Sequence, residues 1–180
     1  DFSPSGRLPL TFYRSVDDLP PFTDYAMDGR TYRYFAGTPL YPFGYGLSYT
    51  RFAYDALRPS RDRINAGDPV RVTVQVANVG DRDAEEVVQL YVARAAPGAP
   101  RHRLAGVQRV ALQPGETRTV ALDVSADAFS VADQAGRRQI AGGPATLWVG
   151  GGQPAMHGDK AAPGVGVQIE IVGTRTLPAL

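Results

Sequence analysis

The segment PVRVTVQVANV at residues 69–79 alternates between apolar and polar side chains over most of its length. Its four valines fall on one face, and Arg71, Thr73 and Gln75 fall on the other, which is the period of a half-buried β-strand. Six further segments of similar length are bounded by Gly, Pro, Asn or Asp. They lie at residues 51–57, 86–93, 104–112, 116–124, 144–150 and 165–173. Seven short strands with no sustained 3.6-residue period predict an all-β chain folded as an antiparallel β-sandwich.

The tripeptide QPG at residues 113–115 lies between two of these strands. Pro114 presets the first central position of a type II turn, and Gly115 can take the positive φ that the second position requires. The pattern therefore predicts a tight hairpin between the strands at 104–112 and 116–124.

Three other local patterns make predictions. The segment ANVGD at 77–81 predicts a turn, and SADAF at 125–129 predicts a brief helical turn capped by Ser125. Trp148 lies between Leu147 and Val149, so we expect a large ring in the core or between the sheets. A platform that stacks on sugar rings is the alternative interpretation.

The electrostatic balance excludes several classes of partner. With 19 basic and 18 acidic side chains the formal net charge is +1, which favours neither nucleic acid nor an anionic membrane surface. No run approaches the ~18 apolar residues of a membrane span. There is no cysteine, and His102 and His157 have no ligand-spaced companion. We therefore predict no nucleic-acid partner, no membrane span, no metal site and no cofactor.

The first fifty residues differ in composition from the rest. Pro, Gly, Tyr and Phe crowd together there, most densely in PLYPFGYGLSYT at 39–50, and only RLPLTFY at 7–13 predicts a strand. Gly44 and Gly46 do not begin a dinucleotide-binding fingerprint, because its sixth position is Tyr49 and no βαβ unit surrounds it. We expect no independent core in this part of the chain.

Several motifs together resemble a known family. GRLPLTFY, GRTYRYF and PLYPFGYGLSYT follow one another between residues 6 and 50, and they resemble the tail of the second, α/β-sandwich domain of glycoside hydrolase family 3 enzymes. Those enzymes include β-glucosidases and β-xylosidases. Residues 103–151 are similar to the fibronectin type III-like domain found at the carboxyl end of many of them.

The resemblance implies a domain organisation. Residues 1–50 correspond to the tail of the α/β-sandwich domain and an interdomain linker, and 51–173 correspond to an immunoglobulin/fibronectin type III-like antiparallel β-sandwich. Residues 174–180 would form a C-terminal tail. The fold class implied is thus an all-β sandwich preceded by an irregular segment from the end of an α/β-sandwich domain.

The resemblance also implies a parent activity. The parent would be a retaining, metal-independent exo-acting β-glycosidase that hydrolyses terminal β-linked glucose or xylose units, and it would be periplasmic or secreted. In the family the nucleophilic Asp lies in an amino-terminal barrel domain and the acid/base, commonly a Glu, lies earlier in the α/β-sandwich domain. Neither motif occurs here, so no catalytic residue is assigned. The chain alone is expected to be inactive and to brace the N-terminal catalytic domains, its expected partners, which bind the oligosaccharide or aryl β-glycoside substrate.

The carboxylates of the chain do not contradict this expectation. Glycoside hydrolysis usually needs two of them, about 5 to 9.5 Å apart. The adjacent pairs at 17–18 and 85–86 would point to opposite faces of a strand, and in a loop their separation is unconstrained. Asp24 and Asp28 flank YAM and could line a pocket, although solvent-facing loop acids explain them equally well.

Two sets of residues are candidates for a functional role. A segment that crosses between domains buries flat rings and close-packed glycines, and the candidates for this packing are Tyr41, Phe43, Gly44, Tyr45, Gly46 and Tyr49. Candidates for supporting an active-site rim, with ordinary packing as the alternative, are Arg30, Tyr32, Arg33 and Tyr34.

A second function remains open from sequence alone. The chain could be a free-standing immunoglobulin-like module that binds carbohydrate or protein through Trp148, Tyr91 or the face at 101–109. Such a module has no need of the aromatic segment at residues 1–50, whereas a part of a larger enzyme needs such a segment to contact its other domains.

Overall fold

A computed structural model describes residues 2–133, 135–154, 156 and 160–178. Its strands are β1 Phe52–Pro59, β2 Arg63–Asn65, β3 Val70–Asn78, β4 Ala84–Arg94, β5 Arg103–Leu112, β6 Thr117–Val124, β7 Val131–Ala132, β8 Arg138–Ile140, β9 Gly143–Gly150, β10 Gly164–Val172 and β11 Arg175–Thr176. Its helical elements are 3₁₀ turns at Val16–Asp18 and Ala126–Phe129 and the single-turn helix α1 at Thr31–Tyr34. All seven predicted strands are present, with their ends within two residues of the predicted ones.

Two sheets form the sandwich. One has the strand order β1-β3-β6, and the other has the order β2-β10-β9-β4-β5. Pairing is antiparallel except between β2 and β10. A third, small sheet contains β11, β8 and β7. The predicted all-β sandwich, preceded by an irregular segment, is confirmed.

The core lies between the two sheets and follows from the period-two pattern. Val72 and Val76 of β3 are fully buried, as are Leu90 of β4 and Leu147 and Val149 of β9. Each fully buried Val or Leu side chain contributes roughly 1.5–3 kcal/mol relative to its exposed state. Since the chain has no disulfide, this packing holds the sheets together.

The predicted hairpin at QPG is wrong, although its turn is present. Gly115 has φ +74°, and its neighbour Glu116 donates its backbone N–H to the Gln113 carbonyl at 3.0 Å. However, β5 pairs with β4 and β6 pairs with β3, so the turn carries the chain from one sheet to the other. Asn78 at the end of β3 holds this crossing, because its backbone N–H and carbonyl bond Glu116 and Gly115.

The strand predicted at residues 7–13 is also wrong. The segment bonds residues 40–45 through the backbone at both ends, as in Leu8 N to Tyr45 O at 2.8 Å and Phe12 N to Tyr41 O at 2.9 Å. Only one isolated bridge forms, between Phe12 and Tyr41. Pro9 has no N–H to donate, so a continuous ladder cannot form there.

Trp148 does not lie between the sheets, which corrects that prediction. Its neighbours Leu147 and Val149 face the core, so Trp148 lies on the opposite face of the five-stranded sheet, where it is half-buried. It is paired there with Tyr91 of β4 and Gly166 of β10. The helical turn predicted at 125–129 is present, with Ser125 in the N-cap position but without a side-chain hydrogen bond.

Within the described part of the chain, no helix has the length and apolarity that crossing a bilayer requires.

The turn at Gly115 supplies a test of backbone conformation. A methyl group at Gly115 would meet no atom within 4 Å, so Gly115→Ala adds only the strain of a left-handed φ, about 1–2 kcal/mol. Gly6→Ala is the matched control, because its methyl group is equally unobstructed and its φ is ordinary. We expect urea unfolding to show a lower stability for Gly115→Ala alone. Equal stability of the two variants would contradict the turn assignment.

Candidate functional site

The lead segment, residues 2–50, packs on the outer face of the five-stranded sheet. The evidence lies in β4, whose side chains on both faces are buried. Val88 and Leu90 belong to the core between the sheets, whereas Val87, Gln89 and Tyr91 are buried outside that core. We call the contact between the lead segment and this outer face the leader interface.

Polar side chains of β4 bind the lead segment's backbone at the centre of the leader interface. Gln89 donates from Nε2 to the carbonyls of Gly44 at 3.3 Å and Gly151 at 3.1 Å. The Tyr91 hydroxyl donates to Gln89 Oε1 at 2.6 Å. Burial, and to a smaller extent Tyr32, raises the pKa of Tyr91 well above its usual range, so this hydroxyl remains a donor.

Gly44 is the point of closest approach. Its φ is +78°, a backbone conformation that residues other than glycine rarely adopt. A Cβ atom there would collide with Gln89 Oε1 and would lie 2.9 Å from the Tyr91 hydroxyl oxygen. The absence of a side chain is therefore what allows the lead segment to reach β4.

Three aromatic rings seal the interface beside Gly44. Tyr32 stacks on Phe43 with ring centroids 4.1 Å apart and an interplanar angle of 18°. The same ring meets Tyr91 edge-on at 6.1 Å. The Tyr32 hydroxyl accepts the backbone N–H of Leu104 at 3.1 Å, which ties it to β5. Stacked and edge-on pairs contribute roughly 0.5–1.5 kcal/mol each beyond their burial.

A buried ion pair joins the lead segment to the start of β4. Arg7 Nη2 lies 2.7 Å from Glu86 Oε1, and the two side chains are 12% and 3% exposed. Arg7 also donates from Nε to the Gly151 carbonyl at 3.1 Å, and Glu86 Oε1 accepts the backbone N–H of Val87 at 2.9 Å. A buried carboxylate is tolerated only when it is paired and hydrogen-bonded in this way.

Tyr54 of β1 lies beside this pair. Burial first, and the Glu86 carboxylate second, raise the pKa of its hydroxyl far above the ordinary value, while Arg7 opposes them. Among the described residues its hydroxyl oxygen has no hydrogen-bond partner, so Glu86 acts on it through its charge. The neutral hydroxyl thus borders a site whose charge is already balanced by Arg7.

A more exposed cluster borders the interface. Arg109 Nη1 lies 2.8 Å from Glu85 Oε2 and donates to Ser5 Oγ at 2.5 Å. Half-exposed pairs of this kind contribute little stability, because water screens them. Glu85 and Glu86, adjacent in sequence, therefore contact the lead segment in different electrostatic environments.

The residues proposed for interdomain packing occupy three environments. Phe43 and Gly44 contact Tyr32 and β4 as described, and Gly46 lies against the Gly6 carbonyl and Arg7. Tyr41 and Tyr45 pack on each other at 5.2 Å, and Tyr41 remains partly exposed. Tyr49 is mostly exposed. Their role between domains stays a prediction.

The four rim candidates make local contacts. Tyr32 lies in the leader interface, and the Arg33 carbonyl accepts the backbone N–H of Arg101 at 2.7 Å. Arg30 donates its guanidinium hydrogens to backbone carbonyls of residues 21–26. Tyr34 is half-buried at the end of α1. A role at an active-site rim is untested for all four.

The remaining titratable candidates do not assemble into a reactive cluster. Asp18 caps the first 3₁₀ turn, and Asp24 accepts the backbone N–H of Ala26 at 2.9 Å. Burial, followed by the charge of Arg101, lowers the pKa of His102 to about 4. His157 lies outside the described residues. Among the described residues no three His, Cys, Asp or Glu side chains form a possible metal site.

Sequence reasoning missed Arg7, Glu86 and Gln89. One signal was available, because EEVVQLYVA carries large apolar residues at Val87 and Tyr91 on the face opposite Val88 and Leu90. A strand that is apolar on both faces is covered on both faces.

Family models match the two sides of the leader interface. The glycosyl hydrolase family 3 C-terminal domain matches residues 1–49, and the fibronectin type III-like domain matches residues 86–153. The chain belongs to glycoside hydrolase family 3. The leader interface is thus the contact between the parts of this family 3 chain that match the two models.

Curated relatives of this family 3 chain are named as glycosidases. It is 34% identical over 164 residues to a periplasmic β-glucosidase of Salmonella typhimurium, an alignment that covers 83% of the chain and 21% of the relative. It is 37% identical over 134 residues to a xylan 1,4-β-xylosidase of Xylanibacter ruminicola, covering 74% and 15%. The chain therefore spans about a fifth or less of the length of these relatives.

Solved β-glucosidase structures share the fold of the family 3 chain. β-Glucosidase 3B of Thermotoga neapolitana aligns with a TM-score of 0.81 and 28% identity, over 97% of this chain and 26% of that one. A β-glucosidase of Erythrobacter marinus aligns with a TM-score of 0.76 and 34% identity, over 94% and 22%. Both alignments extend through the lead segment and the sandwich together.

The close approach at Gly44 can be tested against a matched glycine. Gly44→Ala should destabilise the chain by about 2–4 kcal/mol, because backbone strain adds to the collision with Gln89 and Tyr91. Gly98→Ala is the control, since Gly98 has φ +72° but its Cβ would meet nothing closer than 3.8 Å. Urea unfolding followed by Trp148 fluorescence measures the difference. If both variants lose the same stability, Gly44 is not a contact point.

The buried ion pair predicts a non-additive double-mutant cycle. Arg7→Met leaves Glu86 buried without a partner and should cost about 3–5 kcal/mol. The double variant Arg7→Met/Glu86→Leu removes both charges and should be more stable than Arg7→Met alone in denaturant unfolding.

The exposed pair of Arg71 and Asp123 provides the control for this cycle, because both side chains are mostly accessible to solvent. Arg71→Met should leave the unfolding midpoint nearly unchanged. Additive effects of the two substitutions at Arg7 and Glu86 would show that the pair is not energetically coupled.

Proposed function

We propose that this chain is the C-terminal accessory portion of a retaining, exo-acting β-glycosidase that removes terminal β-linked glucose or xylose units, and that it braces the catalytic domains. The observation that carries the proposal is the distribution of exposed large apolar side chains. Twelve of the fourteen among the described residues lie in the lead segment. They are Phe2, Leu10, Phe12, Val16, Leu19, Phe22, Tyr25, Met27, Leu40, Tyr41, Leu47 and Tyr49.

Scattered exposed apolar residues are ordinary, but a concentration of them marks an interaction surface. The sandwich itself contributes only Val79 and Val107. The lead segment contacts β4 through some of its residues and leaves many of its large apolar side chains exposed. A second packing partner for these side chains, namely the portion that precedes this region in family 3 relatives, accounts for their exposure.

The chemistry of the described residues agrees with an accessory role. A retaining glycosidase needs a nucleophile and an acid/base about 5–5.5 Å apart. Glu86 is buried and neutralised by Arg7, and Glu85 pairs with Arg109. We propose that the catalytic carboxylates lie in the preceding catalytic domains, which also bind the oligosaccharide or aryl glycoside, and that the chain alone is inactive.

The relatives' names support a sugar class and a location for the parent. The Salmonella relative is called a periplasmic β-glucosidase and the Xylanibacter relative a xylan β-xylosidase. We propose hydrolysis of β-glucosides or β-xylosides by the parent, in the periplasm or outside the cell.

The alternative of a free-standing binding module has less support. Tyr91, one of its contact candidates, is only 1% exposed and bonds Gln89. Trp148 is half-buried.

The proposal is tested by release of p-nitrophenol from β-glucoside and β-xyloside substrates. The chain alone should show no turnover, and the longer polypeptide that contains it together with the preceding family 3 domains should hydrolyse at least one substrate. Folding of the inactive chain is verified by a cooperative unfolding transition. Turnover by the chain alone would refute the accessory role, and a folded longer polypeptide that cleaves neither substrate would refute the activity.

A further inference from the structure

The loop at residues 20–29 is the most exposed apolar part of the lead segment. Phe22 is 94% exposed and Tyr25 is 89% exposed, while Met27 is half-exposed. Aromatic rings bury 150–250 Å² each when they are covered. We call residues 20–29 the Arg30 loop, because the side chain of Arg30 organises it.

The Arg30 guanidinium donates hydrogen bonds to the backbone carbonyls of the loop. Its Nε donates to the Ala26 carbonyl at 3.0 Å, and its Nη2 donates to the carbonyls of Asp24 at 2.5 Å and Pro21 at 3.3 Å. Its backbone N–H donates to the Met27 carbonyl at 3.0 Å. Arg30 therefore donates four hydrogen bonds to backbone carbonyls of the loop and fixes their positions.

Further bonds fix the same shape. The Asp24 backbone N–H donates to the Pro21 carbonyl at 2.9 Å, and the Ala26 N–H donates to Asp24 Oδ1 at 2.9 Å. Two prolines at the start of the loop restrict its backbone, and Gly29 at its end takes φ +67°. The loop is organised without help from Phe22 or Tyr25.

A preformed loop with exposed rings has the properties of a binding anchor. Binding is weakened when a loop must become ordered on association, because the loop then loses conformational entropy. A loop that is already ordered in the free chain avoids this loss on binding. Aromatic residues at the centre of an interface dominate binding energies. A loop that served only as a connection would gain nothing from exposing two rings on a fixed backbone.

The charge of the loop and of the residues before it indicates the charge of the surface that the loop would bind. Residues 15–29 contain Asp17, Asp18, Asp24 and Asp28 and no basic residue. The guanidinium of Arg30, the first basic residue after this acidic stretch, donates to carbonyls of the loop. A complementary surface therefore has an apolar recess with basic residues at its rim.

We infer that the Arg30 loop is a preformed anchor that inserts Phe22 and Tyr25 into an apolar, basic-rimmed recess on the preceding domains of the same family 3 polypeptide. The inference rests on the proposed function, because that function supplies the preceding domains as the binding partner. It is supported by the length of the relatives, of which this chain spans only 21% in the Salmonella enzyme. Arg30 acts on the two rings through the backbone of the loop and is therefore a positioning residue.

Hydroxyl-radical footprinting with mass spectrometry tests the inference directly. Oxidation of Phe22 and Tyr25 should be roughly tenfold slower in the longer polypeptide than in the chain alone, because rings at an interface centre are fully desolvated. Val79 and Val107, which are exposed on the sandwich, serve as internal references. Equal oxidation of the rings in both polypeptides overturns the inference. Protection that appears in the chain alone as its concentration rises also overturns it, in favour of a second copy.

Stability measurements give a second, independent result. Phe22→Ser/Tyr25→Ser should leave the melting temperature of the chain alone unchanged, because both rings are exposed there. The same double variant should lower the melting temperature of the longer polypeptide. Val79→Ser/Val107→Ser, a pair exposed on the sandwich, measures the general cost of removing apolar surface. A melting temperature of the longer polypeptide that is unchanged by Phe22→Ser/Tyr25→Ser overturns the inference.

The positioning role of Arg30 has its own readout. Arg30→Lys keeps the charge but cannot donate from both Nε and Nη2, so the loop should lose its fixed shape. Amide hydrogen exchange at Ala26 and Asp24 in the chain alone should then accelerate while exchange in β4 stays the same. Unchanged exchange at these amides would overturn the positioning role.

Failure of the inference and failure of the proposed function give different results. A longer polypeptide that hydrolyses p-nitrophenyl glycosides while Phe22 and Tyr25 remain oxidisable retains the function and refutes the anchor. Protected rings in a polypeptide without glycosidase activity support the anchor and refute the function.

Discussion

The arrangement of the chain depends on the covering of β4 from both sides. Its inner side chains form the sandwich core, and its outer ones, including Gln89 and Tyr91, are buried by the lead segment. The sandwich also depends on the lead segment electrostatically. The carboxylate of Glu86 in β4 is buried, and its charged partner, Arg7, belongs to the lead segment. A sandwich that began at residue 51 would leave the buried Glu86 carboxylate without a cation. Removing one partner of a buried ion pair in this way is strongly destabilising. The lead segment is therefore an integral layer of this fold.

The elements of the sandwich could be predicted because their signal is local. Alternation with a period of two in β3 requires no knowledge of its neighbours. The order of strands could not be predicted in the same way. Pro114 and Gly115 dictate a turn, yet the same turn can close a hairpin or cross between sheets. The bonds that Asn78 makes to residues 115 and 116 hold the crossing, and Asn78 lies more than thirty residues earlier in the chain.

The leader interface was predictable in kind but not in detail. The density of rings and glycines at residues 39–50 indicated close packing against something. Which strand receives Gly44 depends on Gln89 and Tyr91, and nothing in the local sequence links them. Trp148 was placed on the wrong face for the same reason, because an apolar residue on a strand covered from both sides can belong to either face. A contact between residues far apart in the chain, such as that of Arg7 with Glu86, produces no periodic pattern in the sequence.

The two sides of the lead segment differ in a way that bears on bracing. On the inner side, hydrogen bonds from Gln89 and Arg7 and the stacked rings of Tyr32 and Phe43 hold the backbone in one position relative to the sandwich. On the outer side, Phe22 and Tyr25 are presented from a loop that has its own hydrogen bonds. A flexible tether would transmit no constraint between two bodies, because its torsions would absorb any displacement. A layer that is fixed on one side and organised on the other can hold a second body at a defined orientation to the sandwich, which is the physical requirement for a brace.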